Sequence, residues 1–383
     1  MHTNATLAVK TVNLALQGGG SHGAFTWGVL DALLSDPRIR IEGLSGTSAG
    51  ALNAVALASG MATAHAQGLE PHEGARQALA QLWEDVGHWG ALGALQAQLS
   101  RSLWGGLLAD WGGANPWSAA WRGMLSPQQT NPLGLNPLRD LLTRHVDFDA
   151  IRRPGGPKVF VSATHVSTGK AVIFSGERLT ADAVLASACL PTLFQPVEID
   201  GQAYWDGGYS VNPALTPLIG SCEHADVVVV QINPLRRDAL PQTAGQITDR
   251  VNELTFNASL LTQMRGIDLI NRLLAAGALV PGRCKQVRLH RIDGGAAMLE
   301  YAASTKSQPD PGLIRELFQL GQMVAHKWLE EHFAALGHRS TVDVKRDYED
   351  DTRVDWAPPA TPGGPRRMLG FRPWVARLLK RGG

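Results

Sequence analysis

Cysteine is scarce in this 383-residue chain: Cys189, Cys222 and Cys284 are the only three. An odd count without paired spacing excludes a disulfide framework or a zinc site and fits reduced thiols in a cytoplasmic protein. Charge of one sign is also lacking. The 35 Lys and Arg against 34 Asp and Glu leave a net charge of +1, without the basic surplus of a protein built to bind nucleic acid. Long apolar runs are missing too. The stretch "ADVVVVQI", residues 225–232, is strand-length, whereas a membrane span needs roughly 18 residues. The opening "MHTNATLAVKTVNLAL" has no basic stretch followed by a long apolar one, so no cleaved signal peptide is expected. No His, Cys, Asp or Glu cluster has metal-ligand spacing, so neither a metal nor any other cofactor is expected. No internal repeat is visible.

What is present is ordinary for a globular α/β protein: 44% hydrophobic residues, 18% charged residues and 42 glycines. "TVNLAL", residues 11–16, reads as a buried strand, and "GAFTWGVLDALLSD", residues 23–36, as the helix after it. Residues 39–46 and 49–60 repeat the unit. Strand, glycine loop, helix, strand, tight turn, helix is the opening of a parallel sheet with crossover helices. Further on, residues 136–146 predict a helix with an Asn cap and an initial Pro. Residues 158–166 and 170–176 predict strands, 180–188 a Thr-capped helix, and 195–208 a hairpin turning at Asp200–Gly201. Residues 311–336 supply one or two long helices.

Between about residues 61 and 132 the pattern changes. Six of the 11 Trp (Trp83, Trp89, Trp104, Trp111, Trp117 and Trp121) fall here. We read this as helices and loops inserted over the sheet, whose Trp side chains suit an entrance facing a membrane interface, although core packing is the simpler account of any one Trp. After Gly337 a charge-dense stretch and a Pro/Gly linker lead into a basic tail. There Trp374, Val375, Leu378 and Leu379 share a helical stripe beside Arg377, Lys380 and Arg381, and no acid follows Asp355. Such a tail suits peripheral contact with anionic lipid, and equally a disordered tail or a protein-partner segment. The expected division is therefore an α/β domain over 8–337 and a tail over 338–383.

Three glycine-bearing motifs carry the chemistry. "GTSAG", Gly46 to Gly50, fits G-x-S-x-G between a strand and a helix, a sharp turn that exposes Ser48 at a helix start. The free amides from Ala49 onward point at the serine oxygen and any anion formed there. "GGGSHG", residues 18–23, lacks the Lys of a phosphate-binding loop. It fits a dinucleotide fingerprint only loosely, since Glu42 stands in the wrong place for the ribose. Its successive amides instead suit an oxyanion hole. "YWDGGYSVNP", residues 204–213, offers Asp206 as a base, although Asp-Gly-Gly also makes an ordinary turn.

Together, "GGGSHGAFTWGVLDAL", "GTSAG" and "ASACLPTLFQPVEIDGQAYWDGG", in that order, resemble the patatin-like phospholipase family over roughly residues 11–235. The resemblance implies a three-layer α/β/α sandwich with a central, mostly parallel sheet. It implies a Ser48–Asp206 dyad without histidine, with Gly18, Gly19 and Gly20, joined by Ala49, holding the oxyanion. Gly46, Gly50, Gly207, Gly208 and His22 stand as supporting positions. The implied activity is hydrolysis of a phospholipid or other fatty acyl ester. A thioesterase, a storage-polyester hydrolase and a non-catalytic lipid-binding protein are the alternatives. His22 departs from the family, which commonly has Arg there. A protonated His could brace the loop and make activity pH-dependent, whereas a neutral one would be satisfied locally. His165, His224 and His290 are the histidines that could complete a triad instead, while His326, His332 and His338 read as solvated helix positions.

Overall fold

The computed structural model describes residues 8–109, 136–280, 282, 284–302, 305, 306 and 309–349, with side chains for all of these except 92–109. Strands β1 (Lys10–Leu16) and β2 (Ile39–Thr47) alternate with helices α1 (Gly23–Ser35) and α2 (Ala49–Ala66). Helix α3 (Pro71–Ala109) leads away, and α4 (Pro137–His145) and α5 (Phe148–Arg152) return to β3 (Lys158–His165) and β4 (Ala171–Phe174). Helix α6 (Ala181–Ser187), hairpin β5 (Val197–Ile199) and β6 (Gln202–Asp206), α7 (Thr216–Ser221) and β7 (Asp226–Gln231) follow. The long α8 (Ala244–Ala275), β8 (Arg288–Asp293), α9 (Pro311–His332) and the short α10 (Val344–Tyr348) complete the order.

The strands form one sheet in the order β5-β6-β3-β2-β1-β7-β8, with β4 pairing β3. Its centre and one flank are parallel, while β4, β5 and β6 make the antiparallel side. Alternation along the strands fills both faces. Leu14, Leu16, Val228 and Val230 join the core beneath α1, α2, α3 and α9. Ala15, Val227 and Val229 join the core formed with α8 and α10. That two-sided burial makes the three layers α/β/α, as expected. The local signals act as read. Asn136 caps α4 by accepting from the Leu138 amide at 3.1 Å, and Thr180 caps α6 from Ala183 at 3.3 Å. The β5–β6 hairpin turns through Asp200 and Gly201, both at positive φ.

Two boundaries differ from the sequence reading. Helix α2 continues through Met61 to Ala66, and the first turns of α3 belong to the core, with Ala75, Leu79, Leu82 and Trp83 buried. Trp83 is therefore no entrance residue. Its indole donates to Asn53 Oδ1 at 2.9 Å, while Asn53 Nδ2 reaches the Gly23 and Ala49 carbonyls, tying α1, α2 and α3 together. Trp89 is half-buried. The side chain of Trp104 and all of Trp111, Trp117 and Trp121 lie outside the described residues. The chain also stays in the fold past Gly337. Val344 and Tyr348 of α10 are buried, and the Tyr348 hydroxyl donates to Gln231 Oε1 at 2.9 Å. A charge-dense sequence hides such a docking helix because only two of its side chains face inward. Residues 350–383, which include the Pro/Gly linker and the basic tail, lie outside the described residues, and no described helix is long and apolar enough to cross a membrane.

Candidate active site

The carboxyl ends of the adjacent central strands β2, β1 and β7 lie at one end of the sheet, where the loops carrying Gly18 and Ser48 emerge. Ser48 adopts φ 54°, ψ −122° between β2 and α2. This positive φ is uncommon for a residue with a side chain. The turn closes only because its neighbours are small. A β-carbon on Gly46 would lie 2.6 Å from the Ala51 amide nitrogen, and one on Gly50 would lie 2.7 Å from the Leu16 carbonyl carbon. The Ser48 N–H donates to Ser187 Oγ at 2.9 Å, and its carbonyl accepts from Ala51 and Leu52 at 2.9 and 3.1 Å. The backbone is pinned, and the residue as a whole is half-buried.

Asp206 ends β6, paired with Ala163 of β3. Its N–H donates to the Cys189 carbonyl at 2.8 Å, and its carbonyl accepts from the Thr164 hydroxyl at 2.8 Å. Gly207 and Gly208 follow in a tight turn, and the Gly208 amide donates to Asp206 Oδ1 at 2.7 Å. Only 1% of the residue is exposed. Burial pushes the carboxyl up to about 7, against the Gly208 amide and the Ser48 hydroxyl, which favour the carboxylate. The Ser48 hydroxyl is close enough to act in this way, yet Oδ2 is buried without a partner in full hydrogen-bond geometry. An unsatisfied oxygen beside a serine hydroxyl has room to take its proton, and such bonds commonly tighten only with substrate bound.

The glycine loop is held from behind by amides far along the chain. Gln17 Oε1 accepts from the Ile232 and Asn233 amides at 2.9 and 2.8 Å. The Gly18 carbonyl accepts from Asn233 Nδ2 at 3.0 Å. The Gly18 N–H, grouped on sequence with the oxyanion donors, is instead spent on Asn212 Oδ1 at 2.6 Å. Gly18 is a fixing point, because an amide already bonded to a buried side chain cannot also serve a transient anion. No acceptor among the described residues takes the N–H groups of Gly19, Gly20 or Ala49.

His22 is buried, and burial, helped by the Lys306 and Arg237 charges, holds its imidazole down to about 3. The Thr305 hydroxyl donates to the Ala302 carbonyl at 2.7 Å and so accepts from His22 Nε2–H at 2.7 Å. His22 is neutral and satisfied locally. It should show no titration between pH 5 and 8 when followed by NMR, and a midpoint inside that range would contradict the structure. No histidine among the described residues bonds Ser48 or Asp206. His165 is held by Thr168 and Gln202. His224 pairs with Glu42 at 2.8 Å, and His290 is buried between Asp226 and Thr341. The last two lie at the amino-terminal end of the sheet, away from Ser48.

Ser187, Asn212, Asn233 and Lys306 escaped the sequence reading. Ser187 and Asn212 do lie inside the quoted motifs, so proximity to Asp206 could have flagged them. Nothing local marks Lys306. All three cysteines are free thiols, and no metal-binding group of His, Cys, Asp or Glu occurs among the described residues.

A family model described as Patatin-like phospholipase matches residues 14–219, more than half of the chain. Among solved structures, VipD from Legionella pneumophila is similar at 15% sequence identity and a TM-score of 0.38, covering 85% of this chain and 67% of VipD. No curated protein matches the chain.

Proposed function

Because this chain belongs to the patatin-like phospholipase family, a family of lipid acyl hydrolases, we propose that it cleaves long-chain acyl esters, phospholipids first among them, through Ser48 and Asp206. The observation that carries this reading is the fully buried Asp206 carboxyl with one unpartnered oxygen beside the Ser48 hydroxyl, neither of which is bonded by a histidine among the described residues.

Ser48 Oγ attacks the ester carbonyl carbon as its proton passes to Asp206. The carbonyl oxygen gains the negative charge and is met by the Gly19, Gly20 and Ala49 amides, with the amino end of α2 adding its dipole. Collapse expels the alcohol, which leaves with the proton from Asp206. Water then gives a proton to Asp206 and attacks the acyl carbon, and Ser48 departs with that proton as the free fatty acid is released. Thioesters and storage polyesters would use the same steps, so a substrate panel, not the dyad, separates these subtypes.

The first test is fluorophosphonate labelling of the purified chain, with the modified peptide sequenced by mass spectrometry. Modification at Ser48 together with release of fatty acid from phosphatidylcholine or lysophosphatidylcholine vesicles is the expected result. A folded chain that never reacts at Ser48 removes the hydrolase reading and leaves lipid binding without chemistry.

The pH dependence follows from Asp206. It must be ionised to act, and its carboxyl titrates near 7. kcat/KM on a soluble p-nitrophenyl ester should therefore fall about tenfold per pH unit below about pH 7. A profile still flat at pH 5 would contradict Asp206 as the base.

A further inference from the structure

Lys306 is half-buried, lies far from the motifs in sequence, and has no part in the dyad. Its ammonium donates to Asn233 Oδ1, and its own backbone carbonyl stands where a side chain on Gly20 would point. That ammonium fixes the orientation of the Asn233 amide, oxygen toward Lys306 and nitrogen toward the glycine loop. Asn233 Nδ2 then donates to the Gly18 carbonyl at 3.0 Å. That carbonyl belongs to the same peptide unit as the Gly19 N–H. The chain of donors therefore runs from a half-buried cation, through one side-chain amide and one peptide group, to an N–H that takes no acceptor among the described residues.

We propose that Lys306 is a positioning residue that charges the oxyanion hole through Asn233 and the Gly18–Gly19 peptide. The inference rests on the hydrolase reading above, since it needs an anion at Gly19. Hydrogen bonds in series polarise one another, and in a low-dielectric interior a cation at one end strengthens the donor at the other. A positive end also fits the moment of reaction, when the carbonyl oxygen becomes an oxyanion, more than it fits the resting ester. The effect should therefore appear in kcat and not in KM.

The surroundings decide when the charge is present. Lys306 is faced by neutral His22, by Arg237, which lowers its affinity for a proton, and by Glu253 and Asp249, which raise it. Glu253 is itself engaged by Arg237 at 2.7 Å and Arg250 at 3.1 Å. Burial outweighs the carboxylates and holds the ammonium down to about 8. The cation is thus present at neutral pH and lost in mildly alkaline solution, while Asp206 becomes active only near 7.

The experiment is kcat and KM against pH for the wild type and Lys306→Met, on a soluble p-nitrophenyl ester, after fluorophosphonate labelling has located Ser48. The wild type should show a bell with an alkaline limb near 8. Lys306→Met should lose about tenfold in kcat at pH 7.5, less than the loss on removing a whole oxyanion donor, with KM unchanged and the alkaline limb gone. A variant within twofold of wild type, or one that keeps the alkaline limb, overturns the proposal. Should Lys306→Met fail to fold, the wild-type profile decides alone: kcat constant from pH 8 to 10 overturns it. Failure of labelling at Ser48 is a separate result and strikes the hydrolase reading instead.

Discussion

Asp206→Asn should cut turnover at least about thousandfold and, at the same time, stabilise the folded chain above neutral pH. The loss follows from the lack of a second base among the described residues: general-base catalysis contributes roughly 10²–10⁴, and none of the described histidines bonds Ser48 or Asp206. Asparagine keeps an oxygen for the Gly208 amide and puts an N–H where Oδ2 lacks a partner, so the turn is preserved while proton acceptance is not. The gain in stability follows from burial. The Asp206 carboxyl is displaced from 3.8 to about 7 in the folded chain. Below about 4 the group is protonated whether folded or not. As pH rises from there to about 7, the unfolded chain ionises first, so the folded state loses ground throughout that window and stays penalised above it. At about 1.4 kcal/mol per pKa unit the full penalty has a ceiling of about 4 kcal/mol. Urea unfolding of the two proteins should show a gain of about 1–2 kcal/mol at pH 5, rising to about 4 kcal/mol at pH 8.5. An equal gain at both pH values would mean the carboxylate is not what destabilises the wild type.

This trade between stability and activity shows how far local sequence reaches. "GTSAG" is legible because a sharp strand-to-helix turn tolerates little else: Gly46 and Gly50 are where a β-carbon would meet backbone. Asp206 is not legible alone, since Asp-Gly-Gly is first of all a turn. Only its order after the other two motifs singled it out, and only burial reveals why it could serve as a base near neutral pH. The glycine loop is legible as a row of amides, but the sequence does not say which amide is free. That depends on Asn212, whose Oδ1 takes the Gly18 N–H from about 200 residues away, and a hydrogen-bond partner at such separation leaves no periodicity behind. The same limit hid Lys306, the inward face of α10 and the core role of Trp83. Strand alternation in "DVVVVQ" reports two buried faces but not what covers them. The fold class was therefore open to reading from pattern, whereas the polar scaffold behind the site appears only after the strands are paired.

Ser48→Ala and Ser48→Gly should both abolish fluorophosphonate labelling and lower turnover by about 10⁵-fold or more, the scale on which losing a serine nucleophile acts. The two should nevertheless differ in stability. At φ 54° a β-carbon is strained, and a residue held in such a region costs about 1–3 kcal/mol. Alanine keeps the β-carbon and the strain. Glycine removes both, but it also frees the unfolded chain, at a cost of about 0.4–1 kcal/mol. The strain term is the larger, so Ser48→Gly should be more stable than Ser48→Ala by about 1 kcal/mol. Thermal and urea unfolding of the inactive pair measures this free of any catalytic readout. If glycine proves no better than alanine, the turn holds Ser48 without strain, even where labelling identifies it as the nucleophile. If glycine is better, the positive φ is a cost borne in the folded state to lift the hydroxyl above Asp206, and the flanking glycines are what allow the chain to bear it.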